Sequence, residues 1–416
     1  MVDPLSGRTA PEHTRIRVLG ALVLEASLSK LGFGLLGFAL PLYARSFGMS
    51  VSSIGVLLST NLIVAAACKP IVGGLVDRVG HARAALIAST ARVAVFVLLL
   101  LAPGPTLLWA AQLLRGLAKS VRDPALNALV ATNGGKKTMA TAFAWYGTAK
   151  SVASSAGKAL AGVVLGAVAG YTAVFALGLL LAAAATATIA TRRSGLDAVP
   201  NPVEPPEPQD GSGPGRPECA AISSRHIAGA LLPWLAFGGA VSATARMLHG
   251  LLPLLAVEYA GLSTAVAGSI YLVPTVVIAV TGPAFGWLGD RVDHRFVLGV
   301  RSLANVMSSL IMLVAPSGSG FAAGKAIDAL GNAAFTPAWG ALMADAAAGH
   351  PHDRARVMAI MTSARDVGTI VGPVLGGLVW GAFGPVALLV IRAVLSAGTE
   401  ALAVVANRTD DRADDR

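Results

Sequence analysis

The chain has 416 residues, of which 55% are hydrophobic and 13% charged, with a formal net charge of +10 and a mean hydropathy of +0.68. A soluble globular domain carries about twice that charged fraction, so a water-soluble fold would expose more apolar surface than it could cover. The surplus positive charge recurs at alternate connections and forms no contiguous patch, which argues against a nucleic-acid partner.

Taken in chain order, the apolar segments are predicted at 16–40, 51–76, 82–102, 107–131, 138–168, 171–190, 227–257, 264–288, 296–315, 320–344, 355–381 and 384–406. Each is near the ~20 residues that cross a hydrocarbon core as a helix. Backbone groups in lipid need internal partners, so such segments are helices or strands of a closed barrel. These are apolar all round and do not alternate, which predicts helices. The 47 glycines let neighbouring helices approach closely. The predicted fold is therefore an all-α membrane protein with 12 transmembrane helices in two six-helix bundles.

The first fifteen residues are polar, and the first apolar run is too long for a cleavable signal. Cys68 in the second segment and Cys219 in a polar stretch do not suggest a disulfide. Arg8, Arg15 and Arg17 lie before or at the very start of the first segment. Arg78 and Arg83, Lys136 and Lys137, Arg192 and Arg193, Arg291 and Arg295, and Arg354 and Arg356 follow the even-numbered segments. The opposite loops 102–106, 167–172 and 315–320 are nearly bare. The positive-inside rule then places both termini in the cytoplasm of a cell-membrane protein. Residues 192–225 hold seven prolines among Glu, Asp, Gly and Ser, and such a segment cannot bury a core. The expected organisation is 1–191 as one half, 192–225 as a cytoplasmic linker and 226–416 as the other half.

The halves repeat one another. Pro70 to His81 reads PIVGGLVDRVGH, and Pro283 to His294 reads PAFGWLGDRVDH, 213 residues later. At the same offset Pro124-Ala125, Ala128-Leu129 and Ala131 match Pro337-Ala338, Ala341-Leu342 and Ala344. The repeat runs in one direction and covers segments two to four of each half. Parallel repeats of this kind build transporters.

Gly73-x-Leu75-x-Asp77-Arg78-x-Gly80 resembles the signature between helices 2 and 3 of the major facilitator superfamily, and the second copy falls where that family has a weaker one. The resemblance covers essentially the whole chain and implies a twelve-helix carrier. It also implies a gating role for Gly73, Asp77, Arg78, Gly80 and Arg83, and for Asp290 and Arg291 in the second copy. In similar proteins the aspartate interacts with a basic residue and with the N-terminus of helix 11. Here His81 and Ala82 precede Arg83, Asp293 replaces the second glycine, and Thr132 stands where an acidic partner is usual, whereas Asp345 keeps that place. Helix 11 carries Gly368-x-x-x-Gly372-Pro373-x-x-Gly376-Gly377, one close-packing face of small residues. In helix 5 the counterpart reads Gly157-Lys158-x-x-Ala161-Gly162, with lysine where the efflux antiporters of the family have proline.

Ionisable residues inside the membrane cost at least ~2.5–3.5 kcal/mol each and so need a reason. Segment four places Arg115, Lys119 and Arg122 on one face by their i, i+4, i+7 spacing, with Asp123 beside it. Lys150 and Lys158 lie in segment five, Glu25 and Lys30 in segment one, Lys325 and Asp328 in segment ten, and Arg365 and Asp366 in segment eleven. Arg246 and His249 lie towards the outer end of segment seven. Mutual pairing is one reading: Glu25 and Asp123 against N-half cations, Asp328 and Asp366 against Lys325 and Arg365. Isolated Arg92 and Arg301 fit pairing better than transport. The N-half still holds six cations (Lys30, Arg115, Lys119, Arg122, Lys150, Lys158) against two anions.

Two functional readings follow and are compatible. In one, Arg115, Lys119, Arg122, Lys150, Lys158, Lys325 and Arg365 attract an anionic substrate, arginine's planar fork suiting carboxylate or phosphate. In the other, Glu25, Asp123, Asp328 and Asp366 carry protons, with Asp123 or Glu25 foremost. There is no Walker A sequence, no metal-ligand spacing and no catalytic triad, so neither an enzyme nor a cofactor is expected. The partners expected are a small-molecule substrate, protons and the lipid bilayer, with the chain a monomer. The leading expectation is proton-coupled export of a small organic molecule with an anionic group, as in the efflux branch of the family. An importer or exchanger of anionic metabolites is the alternative within the fold. A non-transporting sensor or scaffold is the alternative outside it.

Overall fold

The computed structural model describes residues 12–102, 104–133, 139–168, 170–197, 231–289, 294–348 and 353–414. Six helices come first: α1 (Glu12–Ser46), α2 (Val51–Val79), α3 (His81–Leu100), α4 (Pro105–Asn133), α5 (Met139–Val168) and α6 (Tyr171–Asp197). The next, α7, is assembled from Leu232–Met247, Leu252–Leu254 and a π-helical turn Leu255–Tyr259. In α8 the pieces are Thr264–Ser269, a 3-10 turn Ile270–Leu272 and Val273–Gly289. Then come α9 (His294–Val314) and α10 (Gly318–Ala348). A last stretch, Arg354–Asp414, breaks at Gly384, where φ is 87°, just before Pro385. Its arms are α11 and α12. No strand occurs among the described residues, and the all-α expectation holds.

Among the described residues, seven helical stretches are long and apolar enough to cross a membrane. The first, α1, runs past residue 40, where the prediction stopped. Pro41 removes only the hydrogen bond to the Gly37 carbonyl, and the turn around it is packed, with Ala39, Leu40, Leu42 and Ala44 all buried. Large apolar side chains such as Leu24, Ile71, Leu180 and Val394 are exposed, whereas Glu25, Arg122 and Arg392 are buried. That inversion of the soluble pattern suits a hydrocarbon surround, and the chain is a multi-pass membrane protein.

The connections repeat as well. Gly48 (φ 76°) and Gly261 (φ 63°) stand 213 residues apart and end α1 and α7. Two residues beyond each, a serine caps the next helix: Ser50 Oγ accepts from Ser53 N at 3.2 Å, and Ser263 Oγ from Val266 N at 3.4 Å. The duplication thus extends upstream of the segments in which the sequence motif is visible. Between α2 and α3 the whole connection is Gly80, at φ 88° and ψ 141°. Asp77 and Arg78 therefore sit in the last helical turn of α2, not in a loop.

Contacts divide the chain into two compact units. The first takes α1 as far as Leu35, α2 from Ile63, α3, α4, α5 as far as Gly157, and α6 from Phe175. Its core joins Leu22 and Ala26 of α1 to Val72 and Val76 of α2, Ala85 of α3, and Leu126 and Leu129 of α4. The second takes Leu36–Leu62, Lys158–Val174 and α7 to α12. Its core is aromatic: Trp339 stacks on Phe335 at 5.6 Å and meets Phe237 at 6.4 Å, and the ring fits only because Gly238 has no side chain.

In the second unit, glycines bring backbones together. A β-carbon on Gly377 of α11 would lie 2.8 Å from the Val51 carbonyl oxygen and 2.9 Å from the Gly55 α-carbon of α2. One on Gly268 of α8 would lie 2.8 Å from the Gly162 α-carbon of α5. Gly368, Gly372 and Gly376 of α11 press on α7 at Gly239, Ala243 and Met247. The expected small-residue face of α11 is therefore a packing face on two helices at once.

Candidate functional site

The charged face of α4 meets α1 in the first unit. Arg122 forks onto Glu25, with Nη2 donating to Oε1 at 2.8 Å and to Oε2 at 2.6 Å, and Nε donating to Oε1 at 3.1 Å. Both side chains are 1% exposed. A fully desolvated pair of this kind is stable only with such geometry. Asp123 lies 3.7 Å from Arg122 Nη1 but keeps 38% of its side chain accessible. Lys30, Lys119, Arg92 and Arg122 all act on it electrostatically.

Aromatic faces hold three of the other cations. The Arg92 guanidinium lies 3.8 Å from the Phe33 ring centre, and that of Arg115 lies 5.0 Å from the same ring. Arg115 also donates to Gln112 Oε1 at 3.2 Å. Lys150 Nζ stands 4.5 Å over Tyr146. Cation–π contacts of this kind supply about 0.5–2 kcal/mol without cancelling any charge. Among the described residues six cations (Lys30, Arg92, Arg115, Lys119, Arg122, Lys150) thus share the first unit's interior with two carboxylates, Glu25 and Asp123. Arg92, expected to be an isolated structural residue, belongs to this cluster, and Lys158 does not. The helix carrying most of the charge is loosened just beyond it, since Pro124 leaves the Ser120 carbonyl without its helical donor.

In the second unit one carboxylate organises three cations. Asp328 accepts from Lys325 Nζ at 2.5 Å through Oδ2. Its Oδ1 faces Arg301 Nη2 at 3.1 Å and Arg392 Nη2 at 3.4 Å. Arg301 also donates to the Asp328 carbonyl at 2.6 Å. Arg392 is held further by the Thr244 carbonyl, Ser309 Oγ and Asn305 Oδ1 at 2.9, 2.7 and 2.9 Å. Asp328 and Lys325 are therefore engaged with one another, as the pairing reading expects, and both arginines join them. Arg392 went unnoticed in the sequence because the aspartate it meets is 64 residues away. Arg365 lies over Phe335 and Trp339 at 5.2 and 5.9 Å, with Asp366 acting on it from the next position.

The gating residues are placed as follows. Asp77 is 75% exposed and lies 3.9 Å from His81 Nε2. Gly73 has open space about it, and Gly80 forms the turn. Thr132 hydrogen-bonds the Leu129 carbonyl at 3.1 Å. Asp290, Arg291 and Asp293 lie outside the described residues, as do Lys136, Lys137 and residues 198–225 of the linker. Sequence reasoning passed over one pair completely: Arg45 Nε, at the end of α1, donates to Glu258 Oε1 of α7 at 2.9 Å.

The family model of the Major Facilitator Superfamily matches residues 22–324 and, in a second match, residues 235–415. The chain belongs to this superfamily. As one of its members it is a membrane transporter and not an enzyme. Compared with curated proteins, the chain has no match. Solved structures share the fold throughout. A bacterial homologue of the human lysosomal transporter Spinster, inward-facing and unoccupied, has a TM-score of 0.78 at 15% identity, covering 96% of this chain and 98% of its own. The peptide transporter POT in complex with sulfate has a TM-score of 0.72 at 16% identity, covering 95% and 94%. A mutant of the nucleoside transporter NupG has a TM-score of 0.71 at 12% identity, covering 94% and 99%. At these identities the likeness establishes the superfamily's fold alone.

Proposed function

We propose that the protein is a proton-coupled secondary transporter that exports a small organic molecule bearing an anionic group. The carrying observation is the unbalanced interior of the first unit, where among the described residues six cations meet two carboxylates. Arg122 is engaged by Glu25, and Arg115, Lys119 and Lys150 are the anion-attracting groups assigned from the expected set, with Arg92 beside them. Asp123 is the better candidate for the exchangeable proton, because it stays accessible while Glu25 is sealed in its fork. In the second unit Lys325 serves Asp328, and Arg365 lies against the aromatic core with Asp366 beside it.

The cycle is alternating access between the halves 1–191 and 226–416, joined by a cytoplasmic linker, in a monomer. Cytoplasmic termini and a cell-membrane location rest on the alternating basic loops. The Asp77 turn is assigned to the gate on the cytoplasmic side. The neighbours in fold are named as peptide, nucleoside and lysosomal transporters, so the fold is compatible with many cargoes, and the charge pattern is what narrows this one.

The test is reconstitution in liposomes with an imposed pH gradient and a panel of anionic, neutral and cationic solutes offered from either side. Flux of an anionic solute driven by protons, lost in Arg115→Ala and Lys119→Ala variants that still fold, supports the reading. Preference for cations overturns the substrate class. Flux indifferent to pH overturns the coupling, and net inward movement turns the exporter into an importer.

A further inference from the structure

One aromatic ring of the first unit carries two positive charges. Phe33 of α1 is 6% exposed, and the Arg92 guanidinium of α3 lies 3.8 Å from its centre. The Arg115 guanidinium of α4 lies 5.0 Å from the same centre. The ring is held in turn by Phe96, one helical turn beyond Arg92, with the two ring centres 5.2 Å apart. Phe96 has its place because position 178 of α6 is glycine, where a β-carbon would run into the ring. No ion pair joins Arg92 or Arg115 to a carboxylate among the described residues. Glu25 and Asp123 both meet Arg122 and act on Arg92 only at longer range, while Arg115 acts on it as a like charge. Arg115 itself donates to a neutral acceptor, Gln112 Oε1. An aromatic face attracts a cation without cancelling it, so both guanidinium groups keep their charge.

The second copy of the repeat shows these positions in a unit that supplies its own counter-charge. At the 213-residue offset Arg92, Gln112 and Arg115 correspond to Asn305, Lys325 and Asp328. Those three are joined to one another within the second unit. Lys325 donates to Asp328, and Arg392 donates to Asn305 Oδ1 at 2.9 Å and faces Asp328 Oδ1 at 3.4 Å. Position 328 thus brings the anion that position 115 lacks. In the first unit the same three places present two guanidinium forks and a neutral amide, which is the complement of an anion from outside.

We propose that Phe33 sets the specificity of the anion site by holding Arg92 and Arg115 together as a clamp for a doubly charged group, a phosphate monoester or a dicarboxylate. This rests on the reading of the cargo as anionic and narrows it to a charge. A monocarboxylate satisfies one planar fork and leaves the second cation bare. A phosphate ester or a dicarboxylate offers acceptors to both forks and cancels both charges. The ring fixes how far apart the forks stand, because two like charges in low dielectric separate when nothing holds them. Phe33 is a positioning residue and acts through the two arginines.

The experiment is thermal unfolding of the purified full-length protein in detergent, titrated with sodium phenyl phosphate or sodium benzoate against sodium chloride of equal ionic strength. The two probes share a ring, and at about pH 8 the phosphate ester carries two charges and benzoate one. A ligand that binds only the folded state raises the unfolding temperature by an amount that grows with its concentration relative to its dissociation constant. The wild type is expected to bind phenyl phosphate about tenfold or more tightly than benzoate, the scale of one further hydrogen bond between charged groups. Phe33→Leu and Arg92→Gln should each bring the two affinities together, whereas Phe33→Tyr, which keeps an aromatic face, should preserve the gap. A gap that persists in Phe33→Leu or Arg92→Gln overturns the clamp. So does loss of both responses alike in those variants, since damage to the fold does not distinguish the probes. Equal wild-type affinities overturn the double charge and leave the anionic cargo standing. No wild-type response to either probe overturns both.

Discussion

Arg122 and Glu25 show what one residue type can and cannot announce. Their helices are 97 positions apart in the chain, yet the guanidinium and carboxylate close into a fork with almost no exposure. Removing one member of a buried pair leaves a naked charge, which costs about 3–5 kcal/mol. Glu25→Gln is therefore expected to lower stability by that amount in denaturant titration of the detergent-solubilised protein. The double variant Glu25→Gln, Arg122→Gln should be less destabilised than the two single changes summed. Additive effects would mean that the pair is not coupled. The i, i+4, i+7 pattern of α4 was legible because helix geometry alone puts those residues on one face. Their partners were not legible, since Arg92 over Phe33 and Arg392 against Asp328 are created by helices far apart in the chain meeting.

Among the elements, glycines decide which helices can touch. The α11 series was readable as a packing face from its four-residue spacing, but the spacing does not say what it packs on. In the structure Gly377 meets α2, and Gly372 and Gly376 meet α7. Gly162→Ala or Gly377→Ala should drive α5 from α8 or α2 from α11 and lower the flux measured in liposomes. Gly147→Ala, with open space around it on α5, should leave flux unchanged. Equal flux in all three would mean that these contacts have no part in the cycle. Gly80 is a second kind of case. Its φ of 88° with ψ of 141° lies in a region reserved for glycine, so Gly80→Ala should cost about 1–3 kcal/mol of stability. Unchanged unfolding would show that the α2–α3 turn relaxes freely.

Across the whole molecule the duplication explains a contact that composition hides. Arg45 and Glu258 occupy equivalent places, 213 residues apart, and pair with one another. One copy carries the cation and the other the anion, so the repeat has broken its symmetry where identical charges would repel. The two side chains are 42% and 33% exposed, and a pair in that position contributes no more than about 1 kcal/mol. Arg45→Glu should then shift a closed-to-open equilibrium at that end by about fivefold at most. A cysteine placed at Ser52, whose hydroxyl bonds the Gly377 carbonyl at 3.2 Å, would report the shift as faster thiol labelling. Adding Glu258→Arg should restore the slow rate. Failure to restore it would deny the pairing a role in closure.

The sequence by itself determined the helices, their membrane setting, their duplication and the superfamily, because each of these follows from local hydropathy, length and motif order. It also showed that charge lies inside the bundle and is unbalanced. The tertiary structure alone decided how that charge is distributed. Glu25 is spent on Arg122, Asp328 on three cations, and Lys158 belongs with Tyr271 and not with the α4 face. The physical reason is one of range. Helix formation and membrane insertion are settled within about twenty residues of chain, whereas an ion pair in low dielectric is settled by which helices pack together and bring their charged side-chain atoms within hydrogen-bonding distance.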